Sequence, residues 1–495
     1  MSGIVHHFFE IKKATTQTHA PNGKDKETSE EIRAPVVHIA VVGCCHGELN
    51  KIYDACAAHE AETKRTIDFL ICCGDFQALR CLEHLRSMAV PKKYGVLGDF
   101  AAYHRGEKRA PYLTLFVGGN HEDSDWLAEE SYGGFLAPNI YYMGHSGVVI
   151  VDGRVTVAGL SGIFKGNDYA RPYPCRPFYT SEVTKRSAYH VRRIEVDKLT
   201  AFVQAIGRID KQLNALSHSP ETPHCARAIA GSSQIDIFVS HDWPAGITKY
   251  GDEGQLLRQK PFFEEDIRHG ALGNPRTMGL LRSAKPQYWL AAHLHCVFEA
   301  IVQHHEVEGH STTVPGRPKA TKFMALDKPA KGRGFIDFID VPVKARETSD
   351  GKQEGKRIFH HPLWVEILRE THDLVLSNDG KWSADISVVG TQPPEKLLSL
   401  GTPVEAVSTQ HLLKALGLLP TSLQQPFEAA SIKCHRSDNS QQKQNDSLRE
   451  RCAWGSNVGV ETKCGHSALA TTLTNSANVD TNVDSCWQED TCGTE

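Results

Sequence analysis

The sequence predicts an α/β core, either an open or a sandwiched sheet, for two reasons. Short runs of β-branched and other apolar residues alternate with helix-compatible spacers between about 36 and 345. Five of those runs also end in small residues followed by histidine, aspartate, asparagine or cysteine. A chain of 495 residues, 40% hydrophobic and 23% charged, can bury the core of a full enzyme.

The elements follow in order. Pro35–Gly43 reads as a buried strand, because Val36, Val37, Ile39, Val41 and Val42 are β-branched and nearly contiguous. Asn50 to Arg65 has helix-compatible composition, and Ile67–Cys73 and Pro111–Val117 are further apolar strands. Ile140–Tyr142, Val148–Val151 and Val155–Leu160 read as strands joined by tight turns such as Asp152-Gly153. Leu199 to Leu216 reads as helix, and Ile235–Val239 and Tyr288–Ala292 as two more buried strands. Phe323–Leu326 and Phe335–Val341 close the sheet. Beyond them, Pro362–Arg369 and Val404–Leu416 carry helical patterns. The domain reading is a disordered leader over 1–35, a catalytic domain over 36–345, a C-terminal domain over 346–420 and a disordered tail over 421–495. The catalytic domain includes an insertion at about 205–232 and a loop at 303–320.

Composition excludes several classes. A formal net charge of -4 gives no global basic field, although a groove can still be locally basic. Met1 to Ala34 has no apolar segment of the secretory type, and no run approaches a membrane helix. The expectation is a soluble intracellular protein with no membrane partner. The 14 cysteines include no C-x-x-C pair, so a zinc ribbon or thioredoxin-type motif is absent, and most read as reduced, buried thiols.

Five strand ends carry the chemistry. They are Gly43-Cys44-Cys45-His46-Gly47, Gly74-Asp75, Gly118-Gly119-Asn120-His121-Glu122, Ser240-His241-Asp242 and Ala292-His293-Leu294-His295. Open α/β sheets build their sites beyond the carboxyl ends of strands. Imidazole and thiolate suit zinc and ferrous iron, and carboxylate also suits manganese. A carboxylate such as Asp75 can bridge two cations. His293 and His295, two apart on a strand, would aim both rings at one face, as would Cys44 and His46. A buried structural cysteine remains the alternative for Cys44. The five ends together point to a metal site rather than to packing.

In this order the motifs resemble the calcineurin-like metallophosphoesterases. Most of that class begins with Asp-x-His, whereas this chain has Cys44-x-His46. That departure resembles the narrower family of RNA lariat debranching enzymes. Several other segments are similar to that family: Cys72-Cys73-Gly74-Asp75-Phe76-Gln77, Met88–Tyr94, Ala110–Phe116, Ala137–Tyr142, Leu160–Lys165 and Ser240–Pro244.

The resemblance implies a β-sandwich flanked by helices, with a smaller C-terminal region and a disordered tail. It implies a phosphodiesterase that hydrolyses the 2′–5′ bond at the branch point of excised intron lariats. Metal ligands carry over onto Cys44, His46, Asp75, Asn120, His241, His293 and His295, and the proton-donating acid onto His121. The metals implied are ferrous iron, zinc or manganese, and Cys44 biases the site towards the softer ions. Residues about 160–189 match a lariat recognition loop, which assigns Ser161, Gly162, Lys165, Tyr169, Arg171 and Tyr179 to the substrate. Basic side chains among aromatic ones suit single-stranded RNA, while a solvated loop with aromatic anchors has the same composition. The implied partners are branched RNA and splicing or intron-turnover factors, and the implied location is the nucleus. The fold also serves phosphoprotein phosphatases and nucleotide phosphodiesterases, and a dead copy serves as a scaffold. The complete ligand set speaks against the scaffold.

Overall fold

Side-chain alternation along Val36–Val42 (β1) sets the layering of the molecule. Val37, Ile39 and Val41 face an interior between two sheets, while Ala40 and Val42 face Leu49, Ile52, Tyr53 and Cys56 of the helix Leu49–Thr63. Both faces are buried, which is why the strand reads as a near-continuous apolar run. The computed structural model describes residues 35–91, 95–216, 234–304, 318–343, 357–374 and 404–418, with side chains to 209 in the second stretch. The leader, the insertion from 217, the loop from 305 to 317, residues 375–403 of the C-terminal region and the tail lie outside the described residues.

The strands after β1 are, in chain order, Phe69–Cys72 (β2), Thr114–Phe116 (β3), Gly134–Ala137 (β4), Ile140–Tyr142 (β5), Ser146–Val151 (β6) and Val155–Leu160 (β7). Ile237–Ser240 (β8), Tyr288–Ala291 (β9), Phe298–Gln303 (β10), Ala320–Ala325 (β11), Ile336–Pro342 (β12) and Ile358–His360 (β13) follow. One six-stranded sheet has the order β12-β1-β2-β3-β5-β4, and a seven-stranded sheet has the order β10-β11-β9-β8-β7-β6-β13. In the first, β1, β2, β3 and β5 run parallel. In the second, β7, β8, β9 and β11 run parallel. The expected α/β sandwich is present.

Ile39, Ile71 and Leu115 of the first sheet share a core with Val157, Val239 and Leu290 of the second. The outer face of the second sheet, with Phe238 and Trp289, is covered by helices Arg193–Leu216, Thr277–Ala284 and Pro362–Thr371. Truncating a buried anchor such as Trp289 to alanine costs about 3–5 kcal/mol. No described helix is long and apolar enough to cross a membrane.

Two parts of the C-terminal reading change. β13 is a strand of the main sheet, pairing antiparallel with β6 through Ile358 and Val151. The helix expected over Val404–Leu416 starts only at Thr409, where the Ser408 hydroxyl accepts the His411 N–H. The preceding residues are extended instead: Ala406 N–H donates to the Ile358 carbonyl at 2.9 Å and Phe135 N–H to the Val407 carbonyl at 2.8 Å. Backbone pairing with two strand segments outweighs local helical composition there.

His360 is fully buried on β13, and neither ring nitrogen has a hydrogen-bond partner among the described residues. Burial pushes it down to about 4. Between pH 6.5 and 4 the unfolded chain therefore binds a proton that the folded chain refuses, and stability falls as pH falls. This residue should cost on the order of 2 kcal/mol between pH 6.5 and 5. Urea midpoints of the wild type and His360→Leu at pH 7 and pH 5 check this. The variant should lose less stability on acidification, and equal losses would refute the assignment.

Candidate metal centre

The carboxyl ends of β1, β2 and β3 in one sheet and of β8 and β9 in the other open at the same edge of the sandwich. Residues just beyond them form the site. The side chains do not reach it by strand alternation, as the sequence argument for His293-x-His295 and Cys44-x-His46 assumed. The backbone turns instead: His46, Asp75, His293 and His295 have φ of 47°, 45°, 67° and 47°. Left-handed conformations cost non-glycine residues on the order of 1 kcal/mol each and cluster at functional sites.

Asp75 sits at the centre, 1% exposed. Its Oδ1 lies 3.3 Å from His241 Nε2 and accepts the His121 backbone N–H at 2.9 Å. Its Oδ2 lies 3.7 Å from His46 Nε2. The two oxygens thus face opposite halves of the site. On one side, single donor atoms of Cys44, His46, Asp75 and His295 all lie within 4.8 Å of one another. There His46 Nε2 and His295 Nε2 face each other at 3.0 Å. On the other side, His241 Nε2 stands 3.2 Å from Asn120 Oδ1, with the His293 ring 5.0 Å from the His241 ring. His293 N–H also donates to Cys44 Sγ at 3.3 Å. All seven residues that sequence reasoning proposed as ligands therefore converge. The His121 ring meets the edge of His46 at 5.1 Å, and His121 is only partly buried.

The electrostatics suit a cation. Burial drives His46 down to about 4, His293 to about 3 and His295 to about 2, so all three imidazoles are neutral donors near pH 7. Burial pushes Asp75 up, but His241, His121 and His46 outweigh it and hold the carboxyl well below its usual range. His241 Nδ1 lies 2.8 Å from the Cys73 carbonyl, which fixes that nitrogen as a donor and aims Nε2 inward; burial lowers this imidazole, but the Asp75 carboxylate outweighs it and raises it. A buried set of thiol, imidazole, amide and carboxylate groups fits a divalent metal of the iron, zinc or manganese type.

Sequence reasoning assigned no role to the residues that hold the frame. Glu122 accepts Phe76 N–H at 2.7 Å, Gln77 N–H at 2.9 Å and Gly119 N–H at 3.1 Å, tying the β2 end to the β3 end. Burial and the Asp75 charge push its carboxyl up to about 8, against those three donors. Gln77 Nε2 lies 3.3 Å from His46 Nδ1. Trp243 Nε1 donates to the Ala292 carbonyl at 2.7 Å, tying β8 to β9, and Asp242 accepts Phe164 N–H at 3.0 Å. The Gly119-Asn120-His121-Glu122 run was the one available signal for Glu122.

The residues proposed to meet the substrate divide. The Ser161 hydroxyl accepts Gly118 N–H at 2.9 Å and donates to the Gly144 carbonyl at 2.6 Å, so it braces the β3 end. Gly162 is buried and donates its N–H to the Gly118 carbonyl at 2.8 Å. Tyr169 is half-buried, with the Arg276 guanidinium 5.3 Å from its ring. Arg171 and Tyr179 are exposed, Lys165 is half-buried, and Arg86 stacks 4.1 Å over Tyr179. Phe178 is a buried anchor, and Arg192 lies 4.7 Å over Tyr173 while donating to the His190 and Ser187 carbonyls. The segment is therefore a folded unit with an exposed basic and aromatic lip.

Two family models match the chain: calcineurin-like phosphoesterase over residues 37–297, and lariat debranching enzyme, C-terminal domain, over residues 318–397. The chain is similar to the lariat debranching enzyme of Drosophila pseudoobscura pseudoobscura, at 44% identity over 363 residues, 68% of this chain and 60% of that one. It is 42% identical to the Homo sapiens lariat debranching enzyme over 348 residues, 70% of this chain and 56% of the other. For the Caenorhabditis elegans enzyme the identity is 41% over 335 residues, 68% and 60% of the two chains. The match spans less than two thirds of these relatives' length.

Close approach at the centre leaves no room for a methyl group at Gly74 or Gly119. A Cβ on Gly119 would lie 2.1 Å from Asp75 Oδ1 and 2.7 Å from His241 Nε2, and one on Gly74 would lie 2.1 Å from His241 Nδ1. Gly119→Ala should bind metal about 10- to 100-fold more weakly, a loss typical of disturbed ligand support. Its far-ultraviolet circular dichroism should be unchanged. Competition with a chromophoric chelator measures the affinity, and wild-type affinity in the variant would contradict this packing.

Proposed function

The chain belongs to the calcineurin-like phosphoesterase family, and from that premise we propose that it is a metal-dependent RNA phosphodiesterase that hydrolyses the 2′–5′ bond of branched lariat RNA. The observation that carries the proposal is the convergence of Cys44, rather than an aspartate, with His46, Asp75 and His295. The similarity to lariat debranching enzymes on both sides of the site supports the same reading. Ferrous iron, zinc or manganese, when bound by Cys44, His46, Asp75, Asn120, His241, His293 and His295, would supply Lewis acidity and an activated water.

The chain's own groups account for the rest. Asp75, its carboxyl held well below the usual range by the surrounding histidines, presents one oxygen to each half of the site. Glu122 and Trp243 hold the strand ends at their spacing, so little reorganisation is needed at reaction. His121 is anchored through its backbone to Asp75 and lies at the partly open side of the centre. From there its ring would give a proton to the departing 2′ oxygen. The exposed Arg171, Tyr179 and Arg86, with Lys165, would hold the strands that flank the branch through phosphate pairing and stacking. A nuclear location, and contact with splicing or intron-turnover factors, follow from that substrate alone.

The test is cleavage of a short 2′–5′ branched RNA beside a linear 3′–5′ control, with each metal in turn. Cleavage of the branch alone is expected. His121→Ala should keep its metal and lose about 10²- to 10⁴-fold in rate. Turnover of a phosphopeptide or a cyclic nucleotide with the branch intact would discard lariat RNA as the substrate. A His121→Ala rate near wild type would remove that residue from the chemistry.

A further inference from the structure

The segment between β7 and the helix Arg193–Leu216 ends in a buried arginine that none of the roles above explains. We propose that Arg192 is a positioning residue for substrate, its guanidinium clamping residues 161–190 in the shape that presents Arg171 and Tyr179 to RNA. This deepens the reading of branched RNA as the substrate and rests on it.

The neck of the segment is fastened to strand ends that carry proposed metal ligands. Gly162 N–H donates to the carbonyl of Gly118, two residues before Asn120, and Phe164 N–H donates at 3.0 Å to Asp242, next to His241. The two limbs of the neck also pair with each other. Ile163 and His190 form a parallel bridge, and Val191 N–H donates to the Ile163 carbonyl at 2.9 Å. A Cβ on Gly162, whose φ is 88°, would lie 2.1 Å from the Tyr189 carbonyl, so glycine lets the limbs meet. Farther out, Arg176 Nη2 pairs with Glu129 Oε1 at 2.7 Å, and Phe178 N–H donates to Asp125 Oδ1 at 2.9 Å. Those contacts seat the middle of the segment against residues 125–129, just after His121.

Arg192 spans the gap between these limbs. It is 1% exposed and immediately precedes the long helix that covers the second sheet. Its Nη1 donates to the His190 carbonyl at 2.8 Å, and its Nη2 donates to the Ser187 carbonyl at 2.9 Å and the Ser187 hydroxyl at 2.8 Å. Its Nε donates to the Pro172 carbonyl at 3.3 Å, and the guanidinium lies 4.7 Å from the centre of the Tyr173 ring. One planar fork therefore joins the outgoing limb at 172–173 to the returning limb at 187–190. Asp168, which meets His190 Nδ1 at 2.6 Å, and Glu195 balance its charge without bonding to it among the described residues. Burying a guanidinium against neutral carbonyls is costly, and an apolar side chain would fill the same space without that cost. An apolar side chain cannot satisfy three loop carbonyls from one point, whereas the arginine fork can. Arg171, which precedes Pro172, is exposed, as is Tyr179, so the clamp sets where both stand.

The experiment uses the full chain loaded with manganese, as wild type, Arg192→Met and Arg192→Lys. KM and kcat are measured on a short 2′–5′ branched RNA, and hydrogen–deuterium exchange is followed by mass spectrometry without RNA. Arg192→Met should raise KM about 10- to 100-fold, the loss of bonds from a charged donor, with kcat within about threefold. Arg192→Lys keeps the charge without the fork and should recover only part of that loss. Exchange in Arg192→Met should quicken about tenfold or more over 166–190 and stay unchanged in β1, β2, β8 and β9. An unchanged KM, a fall in kcat alone, or faster exchange across both sheets would overturn the proposal. If Arg192→Met does not fold, Arg192→Lys decides: a raised KM with local exchange supports the clamp, and wild-type values refute it. A wild type that leaves branched RNA intact would sink the debranching reading. Faster exchange confined to 166–190 would then still support the clamp, and unchanged exchange would refute it.

Discussion

The buried carboxylate of Asp75 is the constraint on which the rest of the site depends. A charge in so dry a place is costly unless it is compensated. In this chain the carboxylate is met by the His241 imidazole and the His121 backbone N–H, with His46 Nε2 at 3.7 Å, and those groups sit on three other strand ends. The carboxylate therefore organises β1, β2, β3 and β8 around one point. Glycine at 74 and 119 is a consequence, since any side chain there would occupy the space of His241 or of Asp75 itself.

The sandwich serves this arrangement by aiming the carboxyl ends of two parallel strand sets at one edge. Strand pairing fixes where the chain leaves each sheet, and tight left-handed turns at His46, Asp75, His293 and His295 then bring the proposed ligands inward. The strain in those turns is offset by hydrogen bonds that run between strand ends rather than along them. Glu122 and Trp243 each join two ends that are distant in sequence. Such cross-braces preorganise the centre before any substrate arrives.

Much of this was legible in the sequence. β1, β2, β7, β8 and β9 are dense in β-branched or aromatic residues because both faces are buried, so the pattern shows without a structure. The proposed ligands could be picked out because small residues and metal-competent side chains recur together at strand ends. β4, β10 and β13 were not. β4 begins with glycine and spans four residues, β10 is an edge strand whose Glu299 and Ile301 are not buried, and β13 is three residues paired with a strand about two hundred positions earlier. Long-range pairing leaves no local mark. The same reason hid the extended residues before Thr409. The basic and aromatic segment was read correctly as composition, but only burial separates anchors such as Phe178 from exposed groups such as Tyr179.

The most direct test of the central claim is the metal content of Asp75→Asn against the wild type, both purified identically and assayed by mass spectrometry of the elements. The substitution keeps the shape of the side chain and removes only its charge. The account predicts that the wild type carries iron, zinc or manganese in near-stoichiometric amount. It predicts that Asp75→Asn, folded by circular dichroism, carries almost none. A folded Asp75→Asn protein with a full metal complement would contradict it.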